Sequence, residues 1–399
     1  MDPPAIPSPR LGDRSLFPDL VPSAYLNHAG ISPPSLPVTR AVTDLLDAYA
    51  RQGGRAVGTM LALRTRLRER LARLLGVAPV TLALTGGATH GVQAIALSFP
   101  WNPGDRVVLF EGEFPANVTP WQRAAELFQL EPSFVPLAPF HRSSEEGLAR
   151  LEAELARGVR LVAVSAVQFS TGLAMPLAAM AGLCARYGAE LFVDAIQSLG
   201  GVPFDAAALG IDYLAGGAHK WLMGVEGTGV LYVRPGRVAA LRPALAGWLS
   251  HEEALTFLSD PGQLRYDRPI VREAALFEAG SASALSQAAL DASLGLLLEL
   301  GPGAIHAHVN RYLDRLEPLL VERGFASRRA REPERRSCIL SAAPPPGLSL
   351  RALREALARH GVVAGTPDGL LRFTPHWPND PGRELPEVAR ALDAALRQG

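Results

Sequence analysis

From residue 80 onward, short apolar runs alternate with stretches of helical periodicity. "VTLAL" is followed by "GVQAIALSF", "DRVVLFE" by "NVTPWQRAAELFQ", and "RLVAVSAVQF" by "LAAMAGLCARYG". The runs "AELFVDA", "IDYLAGG" and "GVLYVR" complete the series. Short strands separated by helices predict βαβ units and a mostly parallel sheet covered on both faces. Ligands of such sheets sit beyond the carboxyl ends of the strands. Upstream, "VTRAVTDLLDAYARQ" and "LALRTRLRERLARLLG" carry apolar residues at helical spacing, and the glycine pair at 53–54 separates the two helices. Downstream, helices are expected at 283–301 and 303–323, then a strand around "SCILSAA", a helix over "LRALREALARHG", a strand near "LLRFTPHW" and a last helix from 385. The expected organisation is an arm over 1–20, where five prolines forbid regular helix, a large α/β domain over 21–300, and a smaller α+β domain over 301–399.

Composition narrows this picture. The chain has 399 residues and 48% hydrophobic content, enough for a sizeable core. Acidic and basic residues balance, which excludes the electrostatic footprint of a nucleic-acid binder. The nearest approach to a charge block, "RRAREPERR" (328–336), reads as a solvated loop before a strand. Two cysteines exclude a disulfide framework, and nine histidines show no HxxxH spacing, so no metal site is expected. The N-terminus lacks a basic segment followed by an apolar one, and no apolar run approaches the length of a membrane span. A soluble cytoplasmic protein without membrane or nucleic-acid partners is expected.

Four strand ends carry candidate chemistry. "LALTGGATHGVQ" (82–93) runs from strand through a glycine-rich turn into a helix. The amides of Ala88 and Thr89 lie at that helix start, where unpaired N–H groups and the helix dipole favour a phosphate. The segment is neither a Walker A motif nor a GxGxxG fingerprint. "LFVDAIQSLG" (191–200) places Asp194 at the end of a buried strand, with Gln197 three residues on. A carboxylate there is costly unless it is paired or functional. "GGAHKW" places Lys220 beside His219 at the end of the next strand, in a chain rich in arginine and almost without lysine. A desolvated lysine has a lowered pKa and attacks carbonyls. Phosphate cradle, buried acid and nucleophilic lysine together match the needs of pyridoxal phosphate. The lysine forms a Schiff base, and the acid keeps the ring nitrogen protonated so that the ring withdraws electrons.

With these motifs the chain resembles the class V aminotransferases of fold type I, from "YLNHAGISP" (25–33) to "LLRFTPHWPND" (370–380). That group includes cysteine desulfurases, selenocysteine lyases, kynureninases and isopenicillin N epimerases. The resemblance implies a seven-stranded, mostly parallel sheet in the large domain. It implies that Ala88 and Thr89 donate to phosphate, Asp194 meets the pyridine nitrogen and Gln197 the ring hydroxyl. His219 would touch phosphate and Lys220 would form the internal aldimine. Gly217 replaces a serine that is usual in the family. "EFPANVTPW" (113–121) resembles the segment whose ring stacks on the cofactor, which makes Phe114 the stacking residue where desulfurases carry histidine. Phe169 likewise stands where desulfurases carry asparagine. "FEAGSASALSQ" (277–287) resembles a loop that reaches the neighbouring subunit's phosphate, so Ser281 implies a homodimer with a shared active site. Arg372 matches the arginine that grips the substrate α-carboxylate, as its planar fork suits. Asn27 and His28 match the N-terminal segment that lines the substrate pocket, and Trp248 is a candidate for its mouth.

The expected activity is a reaction at Cα of an amino acid, aminotransferase-type first. A Cβ or C–S lyase, an epimerase, or a cofactor-binding accessory protein without catalysis are the alternatives. A persulfide-forming desulfurase is not expected. Cys184 falls in a predicted helix, Cys338 in a predicted strand, and "GVVAGTPDGLL" before Arg372 has no cysteine.

Overall fold

The computed structural model describes residues 6–397. The first five residues of the expected arm lie outside them. In chain order the strands are β1 (Ala24–Leu26), β2 (Leu82–Thr85), β3 (Arg106–Phe110), β4 (Glu131–Val135), β5 (Val159–Ser165), β6 (Glu190–Asp194), β7 (Tyr213–Gly217), β8 (Gly229–Val233), β9 (Ala326–Ser327), β10 (Leu340–Ala343), β11 (Val362–Ala364) and β12 (Leu371–Phe373). The helices are α1 (Leu36–Gln52), α2 (Val57–Leu75), α3 (Ala88–Ser98), α4 (Thr119–Phe128), α5 (Ala138–Arg142), α6 (Ser144–Leu155), α7 (Leu177–Arg186), α8 (Ala284–Leu300), α9 (Pro302–Val321), α10 (Leu350–Arg359) and α11 (Pro381–Leu396).

A seven-stranded sheet in the order β2-β8-β7-β6-β5-β3-β4 forms the centre. The pairs β7–β6, β6–β5, β5–β3 and β3–β4 are parallel, while β8 runs antiparallel to both of its neighbours. The fold is therefore α/β with a mostly parallel sheet. Alternation along each strand divides the apolar residues between two layers. Val162, Val164, Leu191 and Val193 join the core on one face. Leu161, Ala163, Phe192 and Tyr213 join the core on the other. Burial on both faces explains the near-continuous apolar runs of the sequence.

β4 was not evident in the sequence. It is an edge strand with Pro132 inside it and outward positions exposed, so its periodicity is weak. A second small sheet joins β12, β10 and β9. β1 pairs in parallel with β11, and Asn27 continues the contact to Thr374. The N-terminal segment is thus tied to the last quarter of the chain, with Phe17 packed on Trp377. Between α8 and α9 the chain turns by 78°. Among the described residues no single helix is long and apolar enough to cross a membrane.

Candidate active site

Parallel β5, β6 and β7 end on one edge of the sheet, with Ser165 opposite Asp194 and Asp194 opposite Ala215. The residues that follow these ends build the site. Asp194 is 2% exposed, and its Oδ1 accepts the Ile196 amide at 3.0 Å. Burial raises its pKa, and the Ile196 amide and the charge of Lys220 oppose that rise. Three residues on, the Gln197 amide donates to the Ala29 carbonyl at 3.1 Å and accepts from the Trp221 indole at 3.0 Å. One of its N–H groups remains for a ligand.

Lys220 is the only lysine in the sequence. Every other basic side chain that pairs with an acid here is arginine, and a guanidinium cannot form an imine. Its Nζ lies over the Phe114 ring, 5.4 Å from the centroid. Burial pushes the ammonium pKa down to about 8; Asp194 opposes this and Arg372 adds to it. The backbone of this stretch is clamped by the N-terminal segment. The Ser32 amide donates to the His219 carbonyl at 2.8 Å, and the Ser32 hydroxyl donates to the Lys220 carbonyl at 2.7 Å. His219 itself is lowered by burial and by the charge of Lys220.

The start of α3 faces the same strand ends. No side chain caps this helix, so the amides of Ala88 and Thr89 keep free donors. Gly87 sits at φ 146°, in a region that disfavours side chains. β8 requires glycine beside it, since a Cβ on Gly229 would meet the Gly216 oxygen at 2.4 Å. A Cβ on Gly217 would lie 3.6 Å from the Ala88 amide nitrogen, at the position where the family places its serine.

Arg372, on β12, enters from the other side. It is 6% exposed, and burial pushes its pKa down to about 10. One guanidinium nitrogen donates to the Phe169 carbonyl at 2.6 Å. Its Nε is buried without a partner, and so is Asn27 Oδ1. Both flank Gly365, whose added Cβ would lie 2.9 Å from Asn27 Oδ1 and 3.3 Å from Arg372 Nε. The Phe169 ring meets Phe114 edge to face, with centroids 5.3 Å apart.

Asp194, Lys220, Phe114, His219, Ala88, Arg372 and Asn27 therefore sit on elements that converge. His28 does not join them. It is 1% exposed, its Nδ1 contacts the Ser32 hydroxyl at 2.8 Å, and its ring packs on Tyr25 and His376. Burial holds its pKa well below the usual value. The turn after β1 directs its ring into the core, between Tyr25 and His376. Trp248 lines an apolar cleft of 440 Å³ with Tyr49, Val57, Met60 and Leu61. Ser281 lines that cleft as well, and also a neighbouring one beside Gly86 and His90. Glu113 escaped the sequence reading. It is buried next to Phe114 and accepts from Ser165 and Gln168, partners more than fifty positions away. Among the described residues no group of three or more His, Cys, Asp or Glu converges to hold a metal.

An amine with a lowered pKa, a buried acid, a flat ring and an open helix start fit pyridoxal phosphate, and two orphaned polar atoms await a further ligand. Fold and site define a pyridoxal-phosphate enzyme of fold type I. The chain belongs to the class V aminotransferase family, whose model matches residues 24–366. An uncharacterised aminotransferase of Bacillus subtilis is 26% identical over 372 residues, covering 92% of this chain and 93% of the relative. Isopenicillin N epimerase of Streptomyces clavuligerus is 29% identical, with 84% of each chain covered. Cysteine desulfurase of Dickeya dadantii is 30% identical over 72% of this chain and 69% of its own. A solved structure of the cystine C–S lyase C-DES with its product cysteine persulfide superposes with a TM-score of 0.86 at 24% identity, covering 94% of this chain and 99% of that one. At that identity the likeness is one of fold.

Proposed function

We propose that this enzyme acts at the α-carbon of an amino acid in an aminotransferase-type reaction, with Lys220 as cofactor-bearing amine and as base. The observation that carries this reading is the sole lysine of the chain, held between Asp194 and Arg372 with its pKa pushed down to about 8. Pyridoxal phosphate, when bound, supplies a ring that draws negative charge away from the α-carbon. Asp194 would keep the ring nitrogen protonated. The amides of Ala88 and Thr89, with His219, hold phosphate. Arg372 would donate to the substrate carboxylate through its orphaned Nε, and Asn27 can donate to it only through Nδ2. Lys220, near neutral charge at mildly alkaline pH, takes and returns the proton at the α-carbon. Phe114 would pack against the ring and, unlike a histidine, carries no exchangeable proton, which leaves Lys220 as the proton-moving group of this proposal.

The similarity to isopenicillin N epimerase favours a second reading, inversion at the α-carbon. That reaction needs a proton delivered opposite Lys220, and neither Phe114 nor Phe169 supplies one. A lyase reaction shares the first proton removal. A persulfide route is disfavoured, because both cysteines are buried. The apolar cleft beside Ser281 supports a homodimer that shares its sites, and free buried thiols suit a cytoplasmic setting.

The test is a panel of amino acids added to enzyme reconstituted with pyridoxal phosphate. Keto acid, sulfide, alanine and loss of chirality are scored together. Keto acid with conversion of the cofactor to pyridoxamine phosphate is expected. Racemised amino acid without keto acid would establish the epimerase instead, and a static spectrum across the panel would reduce the chain to a cofactor-binding scaffold.

A further inference from the structure

We infer that Glu113 is a positioning residue that sets the substrate-carboxylate grip of Arg372, a role that rests on Arg372 being that grip. Glu113 lies just beyond the end of β3 and is 9% exposed. Its carboxylate accepts the Ser165 amide at 2.7 Å, the Ser165 hydroxyl, and the Gln168 carboxamide at 3.1 Å. Burial pushes the Glu113 pKa up to about 7 and the bonds from Ser165 and Gln168 oppose that rise, so the three donors favour its ionised form and tie the junction together. The Gln168 carboxamide turns its N–H groups to this acid and leaves its own oxygen buried without a partner.

The junction sits at the root of a tight turn. The Gln168 amide donates to the Leu173 carbonyl at 2.9 Å, and the Gly172 amide returns to the Gln168 carbonyl at 2.8 Å. Gly172 adopts φ 80°, which favours glycine. Phe169 is the first residue inside this turn, and its carbonyl accepts from Arg372 at 2.6 Å. Its ring meets Phe114, the residue after Glu113. On the far side the Ser337 hydroxyl donates to the Gly172 carbonyl at 2.6 Å. Glu113 thus anchors the turn beside the Lys220 edge, and the turn fixes one nitrogen of the guanidinium. That leaves Nε and the other terminal nitrogen aimed as a fork for a carboxylate. The same root is hydrogen-bonded to the acid strand, since the Ala166 amide donates to the Asp194 carbonyl at 2.8 Å.

The test compares L-alanine with ethylamine, which lacks the carboxylate, as probes of cofactor-loaded protein. Binding is read from the visible spectrum. Arg372→Ala should weaken alanine and spare ethylamine; if it does not, the reading of Arg372 fails, and the role of Glu113 with it. Given that result, Glu113→Ala should weaken alanine by about 10-fold and leave ethylamine unchanged. Glu113→Gln should restore alanine binding, because its amide oxygen still accepts from Ser165 and Gln168. Hydrogen exchange of the apoprotein should rise over 165–172 in Glu113→Ala while 190–194 stays protected. Equal loss for both probes, or no loss for either, overturns the inference. Should Glu113→Ala fail to fold, Ser165→Ala removes one bond of the junction and should give the same selective loss, more weakly; an unselective effect there also overturns it.

Discussion

The amine of Lys220 stands over the face of Phe114, 5.4 Å from the ring centroid, with the next aromatic ring, Phe169, turned edge-on to Phe114. The lysine is held between an aromatic wall and the acid of β6. Burial strips water from the ammonium by more than Asp194 and the ring face restore, and Arg372 adds repulsion, which is why its proton leaves early.

That balance gives the first prediction. Lys220 is the sole lysine, so reductive ¹³C-methylation of the apoprotein yields one side-chain resonance pair besides the N-terminus. Its titration should have a midpoint of about 8, with the neutral, nucleophilic amine gaining as pH rises. Asp194→Asn removes the charge that raises the value and should move the midpoint down. Arg372→Ala removes a charge that lowers it and should move the midpoint up. Lys220→Arg serves as the blank. Shifts in the opposite directions would refute the electrostatic assignment of the site.

A second prediction concerns the phosphate cradle. A side chain at Gly217 would stand 3.6 Å from the Ala88 amide nitrogen, with Ile196 Cδ1 at 3.0 Å as the tightest neighbour. Gly217→Ser with Ile196→Val should therefore place a hydroxyl among the phosphate donors without a clash. Pyridoxal phosphate should dissociate from this double variant about 10-fold less readily, as one added bond to an anion warrants. Equilibrium dialysis measures it. An unchanged or weaker constant would mean that the phosphate lies elsewhere.

Much of this was legible in the chain because the central sheet is buried on both faces. Its strands had to be apolar runs, and the polar residues that interrupt them at Asp194 and Lys220 stood out. The elements that escaped are those whose reasons lie far away in sequence. β1 exists because Val362–Ala364 gives it a partner, and a run of three residues is too short to carry a periodic signal of its own. Nothing in the local sequence marks Glu113 until Ser165 and Gln168 are brought to it. His28 was expected in the pocket because "YLNHAG" resembles the family's pocket-lining segment. The direction of its ring was decided by Ser32 and His376, which no local pattern reveals.

Gln197 shows how one side chain serves both fold and site. Its amide joins the Ala29 carbonyl to the Trp221 indole, and so ties the N-terminal segment to the lysine loop. Gln197→Leu would strand both groups in the interior, at about 1–3 kcal/mol each. Urea unfolding of the apoprotein should therefore show a loss of roughly 2 kcal/mol or more. Gln197→Glu should recover the bond from Trp221 and forfeit the one to Ala29. Full stability in the leucine variant would mean that water or another side chain takes over these partners.

The last prediction concerns sulfur. A persulfide needs a thiolate that can reach the substrate. Cys184 faces the core from α7, and burial pushes its thiol up to about 12. At pH 8 about one molecule in ten thousand would carry that thiolate. Cys338 is fully buried, donates to the Gly201 carbonyl at 3.0 Å, and is raised further by burial. Buried and held protonated, neither thiol meets that requirement. The Cys184→Ala/Cys338→Ala variant should therefore turn over whichever amino acid the panel identifies. Intact-mass spectra of the wild type incubated with L-cysteine should show no added sulfur. A sulfur adduct on either cysteine would restore the desulfurase chemistry of the relatives and displace the transfer of an amino group as the reaction of this chain.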